Sequence, residues 1–273
     1  MNDLRMKIST ERKPLLVTMS PPPITAIIIT LNEERNLRAC LESVFQVCDE
    51  AIVVDSESTD QTVEIAHTMG AKVYVQKYLG DGPQKDYGVN FAKNDWILSI
   101  DADERLDDRA VKCIRELDLA NAGCDAFALG RKTFVGERWI RVWYPDDVVR
   151  LYDRRRARYL PIKGHSKVDA KRIQRLNCDL LHYSYRDYGE MLRRIDKFAS
   201  RGATIMYEQH RPISVFSPLV HSFGAFLRKY ILKRGFLYGL DGLTISVVSA
   251  FSTYMKYVLL LEKYRTGRVD RTD

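Results

Sequence analysis

The chain has 273 residues, 45% hydrophobic and 29% charged, a globular composition that excludes intrinsic disorder. A net charge of +7 and an isoelectric point near 9.1 favour anionic partners such as nucleotide diphosphates or acidic lipids. The basic residues are dispersed and match no nucleic-acid-binding module, so no nucleic-acid partner is expected. Five cysteines (Cys40, Cys48, Cys113, Cys124 and Cys178) show no CxxC pair and no zinc-type spacing, which points to reduced thiols in the cytoplasm.

Residues 1–23 lack the apolar core of a signal peptide and end in Pro21-Pro22-Pro23, so they read as a flexible leader. Residues 24–30 are a β-branched, nearly continuous apolar run, as expected of a strand covered on both faces. Asn32 is placed to cap a helix whose apolar stripe is Leu37, Cys40, Leu41, Val44 and Phe45. A second strand at 51–54 ends at Asp55, and the next helix carries Val63, Ala66 and Met69 before Gly70. A third strand spans 72–75, and a helix near 83–93 leads to a strand at 96–100. Alternation with short connections predicts a doubly wound α/β sheet, in which ligands collect at the carboxyl ends of the strands. Neither G-x-G-x-x-G nor a P-loop sequence is present.

Three carboxylates, Asp101, Asp103 and Glu104, follow the apolar strand Trp96–Ile100. Clustered acids at the end of a buried strand need positive charge nearby. Read as extended chain, Asp101 and Asp103 project to one side and suit Mg²⁺ or Mn²⁺. Asn32 with Glu33, Asp55 and these acids all follow strands, so a parallel sheet gathers them into one crevice.

A helix bearing Ala110, Val111, Ile114 and Leu117 follows, then a strand at 125–129. From 130 to 182 the pattern is irregular, with candidate strands at 147–152 and 159–162. Asp187 and Glu190 resemble a capping box. Residues 213–264 are apolar and aromatic, interrupted by Arg228, Lys229, Lys233 and Arg234. The longest uncharged stretch, Gly242 to Met255, has 14 residues, short of the ~20 needed to span a bilayer. Residues 213–273 therefore read as a helical membrane-interface extension meeting an anionic membrane surface.

The motifs Thr30-Leu31-Asn32-Glu33-Glu34, Asp55-Ser56-Glu57-Ser58-Thr59-Asp60, Gln84-Lys85-Asp86 and Asp95 through Glu104 come in a telling order. Together with Trp143-Tyr144-Pro145-Asp146, Arg150-Leu151-Tyr152 and Lys233-Arg234-Gly235-Phe236, they resemble the inverting family 2 glycosyltransferases. The likeness, over about residues 24–264, is to the bacterial lipopolysaccharide-core β-1,4-glucosyltransferase group.

The resemblance implies a GT-A fold: a Rossmann-like, mostly parallel sheet flanked by helices, with a helical aromatic-rich C-terminal extension. It places a catalytic domain at 24–212, with a nucleotide-sugar half at 24–130 and an acceptor half at 131–212. The donor would be a UDP-hexose, bound by Thr30, Asn32, Glu33, Asp55, Ser56, Gln84, Lys85 and Asp101. Asp103, less directly Asp101, and His182 would hold a divalent cation. The acceptor would be lipid-linked or a lipopolysaccharide core, at the cytoplasmic face of the cell membrane.

Two departures stand out. Glu57 replaces a glycine of the family's second motif, so any left-handed backbone there is strained. Ser166 stands where the group carries a glutamate that serves as general base, a role serine cannot fill at neutral pH. Asp147 or His165 is then the expected base, with Asp146 also near in sequence. The arginines at 154–156 and 158, with Lys163 and Lys167, form either a solvated face or, beside the crevice, a surface for a phosphorylated acceptor.

Two other classes are weighed. A metal-dependent nucleotidyltransferase would want a glycine-rich cationic loop after the first strand, where Leu31-Asn32-Glu33-Glu34 is acidic. A catalytically impaired glycan- or membrane-binding homologue would keep acceptor binding when Asp103 is mutated.

Overall fold

A computed structural model of the protein describes residues 23–160 and 167–267. The first half alternates as the apolar runs predict: β1 (Ile24–Thr30), α1 (Leu37–Val44), β2 (Glu50–Asp55), α2 (Thr62–Thr68), β3 (Lys72–Val75), α3 (Asp81–Val89) and β4 (Trp96–Asp101). A short β5 (Glu104–Leu106) and α4 (Asp108–Arg115) follow, the helix capped by Asp107, which accepts from the Ala110 N–H at 2.8 Å. The second half holds β6 (Ala126–Val135), β7 (Arg138–Trp139), β8 (Asp147–Asp153), β9 (Arg158–Tyr159), β10 (Val168–Asp169) and the long β11 (Ile173–Tyr185). Four helices close the chain: α5 (Tyr188–Arg193), α6 (Ile195–Glu208), α7 (Ser217–Leu227) and α8 (Gly239–Thr266).

The main sheet runs in the order β3-β2-β1-β4-β8-β6-β11-β5, with β7 folded back on β6. Strands β1, β2, β3, β4, β6 and β11 share one direction, while β5, β7 and β8 oppose it. The predicted mostly parallel sheet is therefore present. Side-chain alternation splits its core: Ile24, Ala26 and Ile28 pack under α1 and α4, while Ile27, Ile52 and Val54 pack on the opposite face.

Three readings of the sequence need correction. Asn32 is not a helix cap; it turns the chain with φ 55°, and α1 starts only at Leu37. Asparagine tolerates that left-handed backbone because its short side chain bonds locally. The irregular stretch holds the expected strand at 147–152 as β8, but it also contains most of β6 and β11, whose alternation is hidden because charged residues such as Arg131 and Asp179 are paired inside it. Finally, α8 is one 28-residue helix, and the apolar segment Gly235–Thr266 is long enough to cross a membrane by length and composition. The 14-residue limit came from ending the segment at Lys256, but one lysine does not end an apolar helix.

The N-cap half of the capping box before α5 forms, Asp187 accepting from the Glu190 N–H at 2.6 Å, while Glu190 reaches one residue further back and accepts from the Arg186 N–H at 2.6 Å. The closing helices pack on one another, α8 against both α6 and α7. The link between α7 and α8 is a single wide π-type turn, 228–232, followed by a 3-10 turn, 235–238. Gly242 lies so close to Gly235 that a Cβ there would strike the Gly235 carbonyl oxygen, which fixes this elbow. All five cysteines are free thiols, as expected.

Candidate active site

Parallel pairing sets Thr30 beside Asp55 and Ile29 beside Asp101, so the ends of β1, β2 and β4 form one edge. Two loops, 31–36 and 56–62, leave this edge and are laced together. The Asn32 N–H donates to Ser58 Oγ at 2.8 Å, and Asn32 Oδ1 accepts from the Thr59 N–H at 2.8 Å. The Glu33 N–H donates to Thr62 Oγ1 at 2.8 Å, and Glu34 accepts from the Gln61 N–H at 3.1 Å. Asp55, 1% exposed, anchors the lacing: it accepts from Thr30 Oγ1 at 2.9 Å, Ser58 N–H at 2.8 Å and Ser58 Oγ at 2.6 Å. Glu57 adopts φ 65°, the left-handed backbone for which glycine is suited.

Gln84 and Lys85 are both buried. Gln84 braces the loop before α3, donating to Ser56 Oγ at 3.1 Å and the Gln76 carbonyl at 2.9 Å and accepting from the Leu79 N–H at 3.1 Å. Lys85 reaches Asp101 Oδ1 at 2.6 Å. The second oxygen of Asp101 pairs with Arg150 Nη2 at 2.6 Å, and the same nitrogen pairs with Glu104 at 2.6 Å. Arg131 approaches Glu104 at 3.5 Å and holds Asp146 through Nη2 at 2.7 Å. The cations demanded by this acid cluster are therefore supplied largely by the protein. Burial would raise the Asp101 carboxyl, but Arg150 and Lys85 hold it far below the carboxylate range. Burial would lower the Lys85 ammonium, yet Asp101 keeps it charged.

Asp103 lies apart from that clamp. The chain turns at Ala102 and Asp103 rather than continuing extended, so the two aspartates face different partners. Asp103 Oδ2 is 3.3 Å from His182 Nε2, and His182 Nδ1 is 3.1 Å from Thr133 Oγ1. β11 pairs with β5 and sets His182 opposite Glu104. Burial alone would depress the imidazole, but its hydrogen bond to Asp103 raises it. Glu33 is raised by burial and then by the nearby Asp103 charge, its bond from Asn36 opposing both. Among the described residues no group of three or more His, Cys, Asp or Glu is placed to hold a metal ion. One carboxylate with one imidazole nevertheless suits an ion that takes its other ligands from phosphate and water. Thr133 fixes the imidazole as an outer-shell partner would.

A cavity of about 470 Å³ opens beside Asp101, lined by Arg131, Asp147, Arg150, Lys167 and Ile173 among others. Asp147 stands at its edge with one oxygen held by Arg175 Nε at 2.9 Å. Asp146 is committed to Arg131. His165, the other expected base, lies outside the described residues, as do Ser166 and Lys163. Of the two readings of the basic run, the one beside the crevice does not fit Arg155 and Arg156. Arg155 pairs with Asp153 at 2.7 Å and Asp95 at 2.9 Å, and Arg156 approaches Asp125 at 3.8 Å. These arginines sit where Asp153 meets Trp96, the amino end of β4, away from the crevice. Lys167 alone of the described part of that run lines the cavity.

Arg131, Arg150 and Glu104 were given no role from sequence. Arg150 carried a usable signal, since an arginine inside Val148-Val149-Arg150-Leu151-Tyr152 must be paired if that strand is buried.

The family model described as "Glycosyl transferase family 2" matches residues 25–182. An uncharacterized glycosyltransferase of Rickettsia bellii is 32% identical over 254 residues, covering 88% of this chain and 86% of the relative. The lipopolysaccharide core biosynthesis glycosyltransferase LpsC of Rhizobium meliloti is 26% identical over 258 residues, covering 87% of this chain and 94% of LpsC. A solved structure of S. aureus TarS 1-349 in complex with UDP-GlcNAc is 16% identical, with a TM-score of 0.46, over 92% of this chain and 94% of that one. The family match spans more than half of the chain and encloses every strand-end acid described above. The chain belongs to glycosyl transferase family 2 and is a nucleotide-sugar-dependent glycosyltransferase with a GT-A fold.

Proposed function

We propose that the chain transfers a hexose, glucose by its resemblance, from UDP to a lipid-linked or lipopolysaccharide-core acceptor. The reaction would invert the anomeric centre, need Mg²⁺ or Mn²⁺, and run at the cytoplasmic face of the cell membrane. The observation that carries this reading is the Asp103–His182 pair, set beside an acid cluster that the protein itself neutralises. The relation to LpsC supports the acceptor class.

Asp103 and His182 would hold the cation, which would offset the negative charge that builds on the departing diphosphate. The laced loops bearing Asn32, Glu33 and Asp55 would receive the nucleoside, with Thr30, Ser56 and Gln84 keeping them in shape. Lys85 acts through Asp101, fixing that carboxylate at the base of the cavity. An acceptor hydroxyl in the cavity would attack the anomeric carbon in line with the leaving oxygen. Asp147 would take its proton as the new C–O bond forms and the bond to the diphosphate breaks.

The test is transfer itself. Purified full-length protein is given UDP-glucose, Mn²⁺ and a panel of truncated lipopolysaccharide cores, with the glycan product read by mass spectrometry. Addition of one hexose with release of UDP supports the reading. UDP-glucose left intact with every acceptor, while another nucleotide-sugar is consumed, overturns the donor assignment.

A further inference from the structure

Outside the crevice, the largest unexplained surface lies on the helical pair. On α7 the exposed residues Phe216, Leu219, Val220, Phe223 and Leu227 recur at helical spacing, so the helix shows an apolar stripe to solvent. Leu240, Leu243, Val247, Phe251 and Tyr254 form the corresponding stripe on α8. The elbow between them adds Leu232, 76% exposed, together with Phe236 and Leu237. An apolar surface this continuous marks an interaction site.

Its charge says what covers it. Arg228, Lys233 and Arg234 are exposed at the elbow and Lys229 is half-buried there, and none of the four forms an ion pair with a carboxylate among the described residues. This contrasts with the arginines at 154–156, each paired with an aspartate. The elbow also adjoins the catalytic body. Its 3-10 turn packs on the turn at 141–143, and a cavity of about 230 Å³ opens there between Trp139, Arg141, Leu237 and Tyr238. Arg141 stacks over Trp139 at 5.0 Å and likewise forms no ion pair among the described residues. Lys229 lies within electrostatic reach of Asp146, the partner of Arg131 at the crevice.

We infer that this face docks on an anionic lipid bilayer, with the apolar stripes entering the interface and the elbow cations meeting headgroup phosphates. A second copy of the chain is the weaker occupant, because a two-fold contact through the elbow would set these unpaired cations against their own copies. Anionic headgroups neutralise them instead. Lying in the interface suits α8 better than crossing the bilayer, since α6 with Asp196, Lys197 and Arg201 packs along it. The docked elbow would sit beside the crevice and bring a membrane-anchored acceptor to it. The proposal takes from the preceding section only that the acceptor is lipid-linked.

The test is flotation of the full-length protein with vesicles of phosphatidylglycerol and phosphatidylethanolamine, or of phosphatidylcholine alone, across a salt series. The anionic vesicles should bind the protein, and high salt should release it. The double variant Arg228→Glu with Lys233→Glu should lose binding by on the order of ten-fold or more. Leu240→Asp should weaken it on the apolar side, while Arg228→Lys with Lys233→Arg should retain it. UDP titrations in solution should be the same for all these variants, so a misfolded variant is recognised and a failure of the donor reading is seen separately. Equal binding to both vesicle types, or no binding to either, overturns the proposal. So does retention through high salt and alkali, the mark of a spanning helix, or a solution dimer that Leu240→Asp dissociates.

Discussion

Asp101 and Asp103 stand two residues apart at the end of one strand, yet their surroundings differ sharply. Asp101 has both oxygens committed to Lys85 and Arg150, while the side chain of Asp103 meets only a histidine among the described residues. The difference shows how a short acidic motif divides its work. One carboxylate, with Glu104, is clamped by buried cations and shapes the floor of the site. The other is left to a ligand. Breaking a clamp made by buried cations leaves uncompensated charge, which costs stability, whereas removing the acid that meets only a histidine should cost ligand binding and little else.

Arg150→Met sharpens the comparison most. It leaves Glu104 with only Arg131 at 3.5 Å and one oxygen of Asp101 without its cation, and should destabilise the fold by about 3–5 kcal/mol, read by urea unfolding. Glu50 is a clamped acid at the opposite end of the sheet, accepting from Thr25, Lys72 and the Lys93 N–H. Burial would raise its carboxyl, but Lys72 and these donors hold it below its ordinary 4.5. Its contribution is therefore present above that pH and is lost as pH falls through the lower, folded value. Glu50→Gln should cost about 2 kcal/mol at pH 7 and flatten the acid limb of the stability profile, without touching UDP binding. Thr133→Val, which frees the histidine ring behind Asp103, should weaken metal-dependent UDP binding by about ten-fold at unchanged stability. Glu57→Gly gives the smallest effect, a gain of about 0.5–1 kcal/mol in thermal unfolding as the left-handed strain is relieved.

The parallel half of the fold was legible because its inner strands β1, β2 and β4 are nearly continuous apolar runs, and β1 and β3 end where the runs end. The strand-end acids were legible too, since parallel pairing gathers them wherever the strands begin. The second half was legible only in part: the strand at 147–152 is present as β8, while β11 shows no strand pattern. β11 carries Arg175 and Asp179 where a strand should show apolar residues, and their pairing partners lie far off in sequence. The basic run at 154–156 left two readings open for the same reason: charge is visible in a sequence but its neutralisation by Asp95, Asp125 and Asp153 is not. Glu57 was readable in the opposite sense, because a missing glycine in a known motif predicts a strained turn, and φ 65° bears that out.

The most direct measurement is calorimetric titration of UDP into the wild type, Asp103→Asn and Asp101→Asn proteins, each with and without Mn²⁺. The division of labour predicts Mn²⁺-dependent binding in the wild type, its loss in Asp103→Asn at near-normal stability, and a metal-dependent though weaker response in a destabilised Asp101→Asn. Metal-dependent binding that survives in Asp103→Asn and vanishes in Asp101→Asn would contradict it.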